Sequence, residues 1–244
     1  MQILLTISYD GTNYAGWQRQ ENAITIQEKL EEALAVLLKR RVQTYGASRT
    51  DAGVHALGQW VSFFAPDIRI PLDKLPVVLS GVLPPDISVT NAIVVPDDFS
   101  PRFGAVEKTY EYSFYNTPVP NPLLARYSAF VPQKLNIKDM QKAASMFIGK
   151  HDFAAFCATG SSAKTTVREI YACAVKECPN GTIVLTVTGN AFLYNMVRII
   201  AGTVLYVGLG KIPPDDILDI IISKDRMRAG KTMPPQGLVL VSIR

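Results

Sequence analysis

Gly46-Ala47-Ser48-Arg49-Thr50-Asp51-Ala52-Gly53-Val54-His55-Ala56-Leu57-Gly58-Gln59 places an arginine, a carboxylate, hydroxyls and three glycines just before the apolar run Trp60-Val61-Ser62-Phe63-Phe64. One glycine suffices for a simple turn; three let the backbone bend sharply and approach a ligand closely. Asp51 stands between Thr50 and Ala52-Gly53, so little side-chain bulk shields it. An Asp-Gly-type surface turn has the same composition. The loop is therefore a candidate site whose standing depends on the rest of the chain.

Working outward, Gly58–Phe64 and Val42–Tyr45 read as strands on either side of the loop, and Gln2 through Ser8 as another. Thr25-Ile26-Gln27-Glu28 has the form of a capping box, and Ile26, Leu30, Ala33, Leu34, Leu37 and Leu38 follow at helical spacing. Lys39-Arg40-Arg41 supplies the positive charge favoured at a helix C-terminus. A short helix over 72–80 and a strand over 87–95 complete a first half. The second half repeats the order. A strand over 108–115 leads through Pro118, Pro120 and Pro122 to a helix over 137–148. Strands over 168–177 and 182–189 flank Cys178-Pro179-Asn180-Gly181, an Asn-Gly turn. Helices over 192–207 and 214–223 and a strand over 238–243 close the chain. The class is α+β, with two similar mixed halves, 1–98 and 99–244, and a seam at Pro96–Pro101. The duplication rests on element order, since the halves show no self-identity.

With 244 residues and 48% apolar content the chain can bury a sizeable core. A net charge of +4 permits nucleic-acid binding without demanding it. A nucleic-acid surface would thus need local base, as in Lys39-Arg40-Arg41 or the run from Lys224 to Lys231. Such clusters also serve as solvated helix ends. No signal peptide and no long uncharged apolar run is visible, so the default is a soluble, cytoplasmic protein without membrane association. Cys157, Cys173 and Cys178 with His55 and His151 give no metal-ligand spacing, and the odd cysteine count argues against a disulfide framework.

Arg198 is the clearest chemical clue after Asp51. Its segment carries Phe192, Leu193, Met196, Val197, Ile199, Ile200, Val204 and Leu205, apolar on almost every side and therefore suited to burial. A guanidinium there cannot shed its charge and needs a carboxylate or several carbonyls. Asp51 is the expected partner; a snorkelling or capping arginine is the alternative. In Lys108-Thr109-Tyr110-Glu111-Tyr112, strand alternation puts Tyr110 and Tyr112 on one face, as either core residues or a stacking platform.

The Asp51 loop resembles the catalytic motif of the tRNA pseudouridine synthase A family, close to G-R-T-D-x-G-V-H-A-x-G-Q. Tyr9-Asp10-Gly11-Thr12-Asn13-Tyr14-Ala15-Gly16-Trp17-Gln18-Arg19-Gln20 is similar to its N-terminal segment. Val95 through Phe103 and Tyr110-Glu111-Tyr112 are similar to its central one, and Asn190 through Arg198 and Gly237-Leu238 to its C-terminal blocks. The blocks keep the family's order over nearly the whole chain. Ser48 stands where many members carry glycine, and the chain stops soon after Leu240.

The resemblance implies the pseudouridine synthase fold, with ferredoxin-like halves sharing a sheet and a central catalytic cleft. It implies isomerisation of uridine to pseudouridine at positions 38, 39 and 40 of the tRNA anticodon stem-loop, by a homodimer without cofactor or metal. It makes Asp51 catalytic, Arg198 its supporting partner, Tyr110 a contact to the target uracil and Arg49 the arginine that helps displace the base. Leu238 would form an apolar wall. The reaction breaks N1–C1′, turns the uracil and joins C5 to C1′ before C5 loses its proton. An arginine beside Asp51 would keep it ionised despite burial. Such a carboxylate can attack the sugar, add to the ring or remove a proton, and the motif is compatible with each. A uridine in folded RNA must first leave its stack.

Two alternatives share these residues: an RNA-binding factor without catalysis, and an N-glycosidase that would release free uracil. Gly160-Ser161-Ser162-Ala163-Lys164-Thr165 ends like a phosphate loop, but Ala163 replaces the second glycine, so a polar loop is expected. His55 is expected to be structural. Asp97-Asp98 reads as a turn.

Overall fold

Alternating apolar side chains make β1 (Gln2–Tyr9) the centre of the first half, with Ile3, Leu5 and Ile7 completely buried. In this computed structural model, which describes residues 1–179 and 181–244, the chain forms two compact units. The first comprises 1–106 together with 239–244. In it α1 (Ile26–Leu38) starts at Thr25, whose hydroxyl accepts from the Glu28 amide at 3.3 Å. α1 buries Ile26, Leu30, Ala33 and Leu34 and stops at Lys39, which adopts the left-handed conformation. β2 (Thr44–Gly46) follows, then β3 (His55–Phe64), α2 (Leu75–Ser80), β4 (Ile87–Val95) and the short α3 (Pro101–Gly104). β1 lies between β3 and β4, antiparallel to both, and β2 pairs antiparallel with β3.

β3 begins at His55, earlier than the expected Gly58, so the Asp51 loop is shorter than its composition suggested. α2, by contrast, starts only at Leu75, later than the expected 72, after the turn closed by the Lys74 and Leu75 amides on the Pro71 carbonyl.

The second unit comprises 107–238. It contains β5 (Lys108–Tyr115), β6 (Ala129–Phe130), α4 (Ile137–Ser145), β7 (Gly149–Asp152), β8 (Val167–Glu177), β9 (Thr182–Gly189), α5 (Met196–Gly208) and α6 (Ile217–Ser223). β5, β9, β8 and β7 pair antiparallel in that order, and β6 adds to β5 in parallel. Asn180, of the Asn-Gly turn expected between β8 and β9, lies outside the described residues.

α4 is capped by Asn136, whose side chain accepts from the Asp139 amide at 3.3 Å. The expected helix over 192–207 starts only at Met196. Asn195 takes φ 60°, and this left-handed residue interrupts the apolar pattern before a helix can form. α5 then buries Met196, Val197, Ile199, Ile200, Ala201, Gly202, Thr203, Val204 and Leu205 around a half-buried Arg198.

β10 (Leu238–Ile243) closes the chain, and from Val239 onward it belongs to the first unit. There Val239 and Leu240 run parallel to His55 and Ala56 of β3. The compact division at Val106/Glu107 thus falls after the seam read at 98/99, and the last strand joins the first unit. A terminal strand's partner is a non-local choice that no local pattern encodes.

Candidate active site

The Asp51 loop is held by backbone from the segment that follows β1. Trp17 N–H donates to Thr50 O at 3.1 Å, and Gly53 N–H donates to Tyr14 O at 3.2 Å. Val54 N–H closes the turn on Asp51 O at 3.1 Å. The Tyr9 and Thr50 hydroxyls share a 2.8 Å hydrogen bond. Gly16 runs at φ +92°, and a Cβ there would sit 2.5 Å from Thr50 O. Here only glycine lets the two backbone segments touch, and Gly11 does the same against Val54, where a Cβ would sit 2.0 Å from Val54 O. Gly46 at the other end lies against the Trp17 indole, which a Cβ would meet at 2.5 Å. Ser48 is fixed by Gln59, whose side-chain amide exchanges two bonds with the Ser48 backbone.

His55 is buried at the start of β3. Its Nδ1 lies 3.1 Å from the Gly11 amide and 3.1 Å from Asp10 Oδ1. It can accept from the first or donate to the second, which ties its ring to the Asp10–Gly11 turn. Tyr14, whose carbonyl receives Gly53, donates its own hydroxyl to Asp86 at 2.6 Å. Burial, and then Asp86, push that hydroxyl above the usual tyrosine range, so it stays a donor. The result is a half-buried Asp51 on a loop with little freedom, and an exposed Arg49 two residues before it.

In the second unit Arg198 sits in the first turn of α5. Its Nε donates to Met233 O at 2.7 Å and its Nη1 to Asn195 Oδ1 at 2.6 Å. Two bonds from one planar fork fix the guanidinium plane. Asn195 therefore matters twice: its backbone starts the helix and its side chain holds the arginine. Tyr110 is buried on β5, its ring meeting Phe192 edge-on at 5.1 Å. Tyr112, on the same face, donates to Pro234 O at 2.8 Å. Burial holds the Tyr112 hydroxyl above its ordinary range, and the Arg198 charge opposes this. Leu238 is buried at the start of β10, just past Gly237, whose missing side chain makes room for the Tyr112 ring.

Asp51 and Arg49 thus lie in the first unit, and Tyr110, Arg198 and Leu238 in the second. The sequence reading did not find the Met233 carbonyl or the Tyr9–Thr50 bond. A carbonyl leaves no mark on residue type, and Tyr9 opens the N-terminal segment with nothing to show where its hydroxyl goes. Asn195 could have been found, being a polar residue among apolar ones three positions before Arg198. Among the described residues no group of three His, Cys, Asp or Glu side chains could hold a metal ion.

The family model described as tRNA pseudouridine synthase matches residues 5–104 and 143–244. The chain belongs to this family. Its members are isomerases that convert uridine to pseudouridine. The tRNA pseudouridine synthase A of Caldicellulosiruptor bescii is 50% identical over 241 residues, covering 99% of this chain and 98% of that protein. That of Ruminiclostridium cellulolyticum is 50% identical over 242 residues with the same coverage. That of Bacillus subtilis is 43% identical over 245 residues, covering 100% of this chain and 98% of its own. The matched segments include Arg49, Asp51, Arg198 and Leu238, whereas Tyr110 falls between them.

Proposed function

We propose that the protein isomerises uridine to pseudouridine at positions 38, 39 and 40 in the anticodon stem-loop of tRNA. The observation that carries this reading is a family match running through both the locked Asp51 loop and the Arg198 helix. Asp51 is the catalytic group. Backbone bonds hold its loop before substrate arrives, so little ordering remains to be done in the reaction. Arg198, whose plane is set by Met233 and Asn195, keeps Asp51 ionised and aimed.

Cleavage of N1–C1′ leaves positive character at the sugar carbon, which a carboxylate stabilises as in glycoside hydrolysis. The uracil turns, C5 bonds to C1′, and the C5 proton leaves. Tyr110 supplies the face against which the flipped uracil stacks, with Phe192 holding its ring by the edge. Leu238 supplies an apolar wall that keeps water from the separated base, and exposed Arg49 displaces the base from its stack. The protein works in the cytoplasm as a homodimer. Among the described residues no helix is long and apolar enough to cross a membrane.

The test is incubation with transcribed tRNA, followed by carbodiimide-adduct primer extension and nucleoside analysis. Pseudouridine confined to 38–40 is expected. Free uracil in place of pseudouridine would make the protein a glycosidase, and tRNA binding without any product would make it an RNA-binding factor.

A further inference from the structure

The Arg198 guanidinium is set by a carbonyl, and that carbonyl belongs to a strap, 229–234, that crosses α5. The strap lies closer to the helix than side chains would allow. A Cβ on Gly202 would sit 1.8 Å from Lys231 O, and one on Gly230 would sit 2.3 Å from Gly202 C. Two glycines therefore face each other where the backbones touch. Thr203 turns this closeness into a fixed register. Its buried hydroxyl donates to Ile199 O at 2.8 Å and accepts from Gly230 N–H at 2.8 Å. The single hydroxyl proton goes to the helix, so the lone pairs are presented to the strap.

Further along, Met233 N–H donates to Arg198 O at 3.2 Å and Arg198 Nε returns to Met233 O at 2.7 Å. Tyr112 anchors Pro234 O, and Arg226 holds the other side through Gly230 O at 2.9 Å and Thr232 Oγ1 at 3.1 Å.

We propose that Thr203, with the Gly202–Gly230 contact, is a positioning device that sets Arg198 by fixing the strap whose Met233 carbonyl holds the guanidinium. Its catalytic consequence rests on the reading above that Arg198 supports Asp51. Thr203 touches no substrate. It acts five residues along α5 and three strap residues away from the arginine it orients. Losing its hydroxyl leaves the Gly230 amide buried without that acceptor, so the strap must shift to satisfy it.

The test compares Thr203→Val with Thr203→Ser by two readouts. One is solvent exchange of the Arg198 Nε–H, followed by nitrogen-15 NMR and assigned by its loss in Arg198→Met. The other is kcat and KM on transcribed tRNA well below every variant's melting temperature. Thr203→Val is expected to speed Nε–H exchange at least about tenfold and lower kcat about tenfold to a hundredfold, with KM within about twofold. Thr203→Ser keeps the hydroxyl and restores both.

A folded Thr203→Val with unchanged exchange and unchanged kcat overturns the proposal, as does a lower melting temperature alone. Should Thr203→Val not fold, Arg226→Gln at the half-buried other side of the strap gives the same decision. Faster exchange supports the proposal and unchanged exchange sinks it. Normal kcat in Arg198→Met instead overturns the reading of Arg198 itself, and the exchange rates still decide whether Thr203 positions it.

Discussion

Asp51 is carried on a loop whose neighbours are mostly backbone: Thr50 O held by Trp17, Gly53 held by Tyr14, and Val54 folded back on Asp51 itself. Replacing its charge while keeping its shape leaves all of these bonds in place. Asp51→Asn is therefore expected to bind tRNA within a few-fold of wild type yet lose turnover, by about a hundredfold to a thousandfold, as when a charge-stabilising group is removed. Filter binding and single-turnover assays check the two halves. Arg198→Met is expected to lose turnover as well, with tRNA affinity retained; a normal rate would show that Asp51 needs no such partner. Tyr110→Phe keeps the ring and its edge contact with Phe192, so tRNA binding should persist. Loss of binding in that variant would contradict the stacking role. At this scale the sequence was most legible where a residue type was out of place. A carboxylate among glycines and an arginine among aliphatics stand out from their neighbours. Met233 O and Gly230 N–H could not, because every residue carries a carbonyl and every one but proline an amide N–H.

Elements with clean alternation were readable to their ends. The strands 87–95, 108–115, 182–189 and 238–243 lie where the pattern of apolar residues put them. The start of α5 was not readable, because Phe192 and Leu193 continue the apolar pattern while Asn195 turns left-handed at φ 60°. β6 and β7 are too short to carry a period and were missed. The loop between β2 and β3 depends on Gly16 in a different segment, where φ is +92° and Thr50 O lies 2.5 Å from any added Cβ. Gly16→Ala should thus destabilise the protein by about 1–3 kcal/mol through strain alone. It should also lower kcat, since the strain falls on the Asp51 loop. Urea unfolding beside single-turnover kinetics would check both, and an unchanged midpoint would show that the loop does not depend on this contact.

For the whole molecule, buried and surface groups make separable claims. Burial pushes the Cys173 thiol up to about 12, while Cys157 and Cys178 are half-buried free thiols. A thiol reagent near neutral pH should label the latter two in the native protein and Cys173 only on unfolding. Lys224, 2.7 Å from Asp152, and then Thr166 hold the Asp152 carboxyl below its usual range. A depressed carboxyl adds stability in full above its unfolded value of 3.8, and that stability is lost as pH falls through the lower folded value. The pair is open to solvent, so it contributes at most about 1 kcal/mol. Asp152→Asn should melt up to about 4 °C lower at pH 7. The deficit should shrink as pH falls through the acid range; a constant deficit would assign it to packing.

The central claim is that a uridine is isomerised at Asp51. It is tested most directly by tritium release from transcribed tRNA labelled at uridine C5, with wild type beside Asp51→Asn. Release by wild type alone is the expected result, since C5 must lose its proton once it bonds to C1′. Equal release by both proteins would remove Asp51 from the mechanism, and no release by wild type would contradict the isomerase itself.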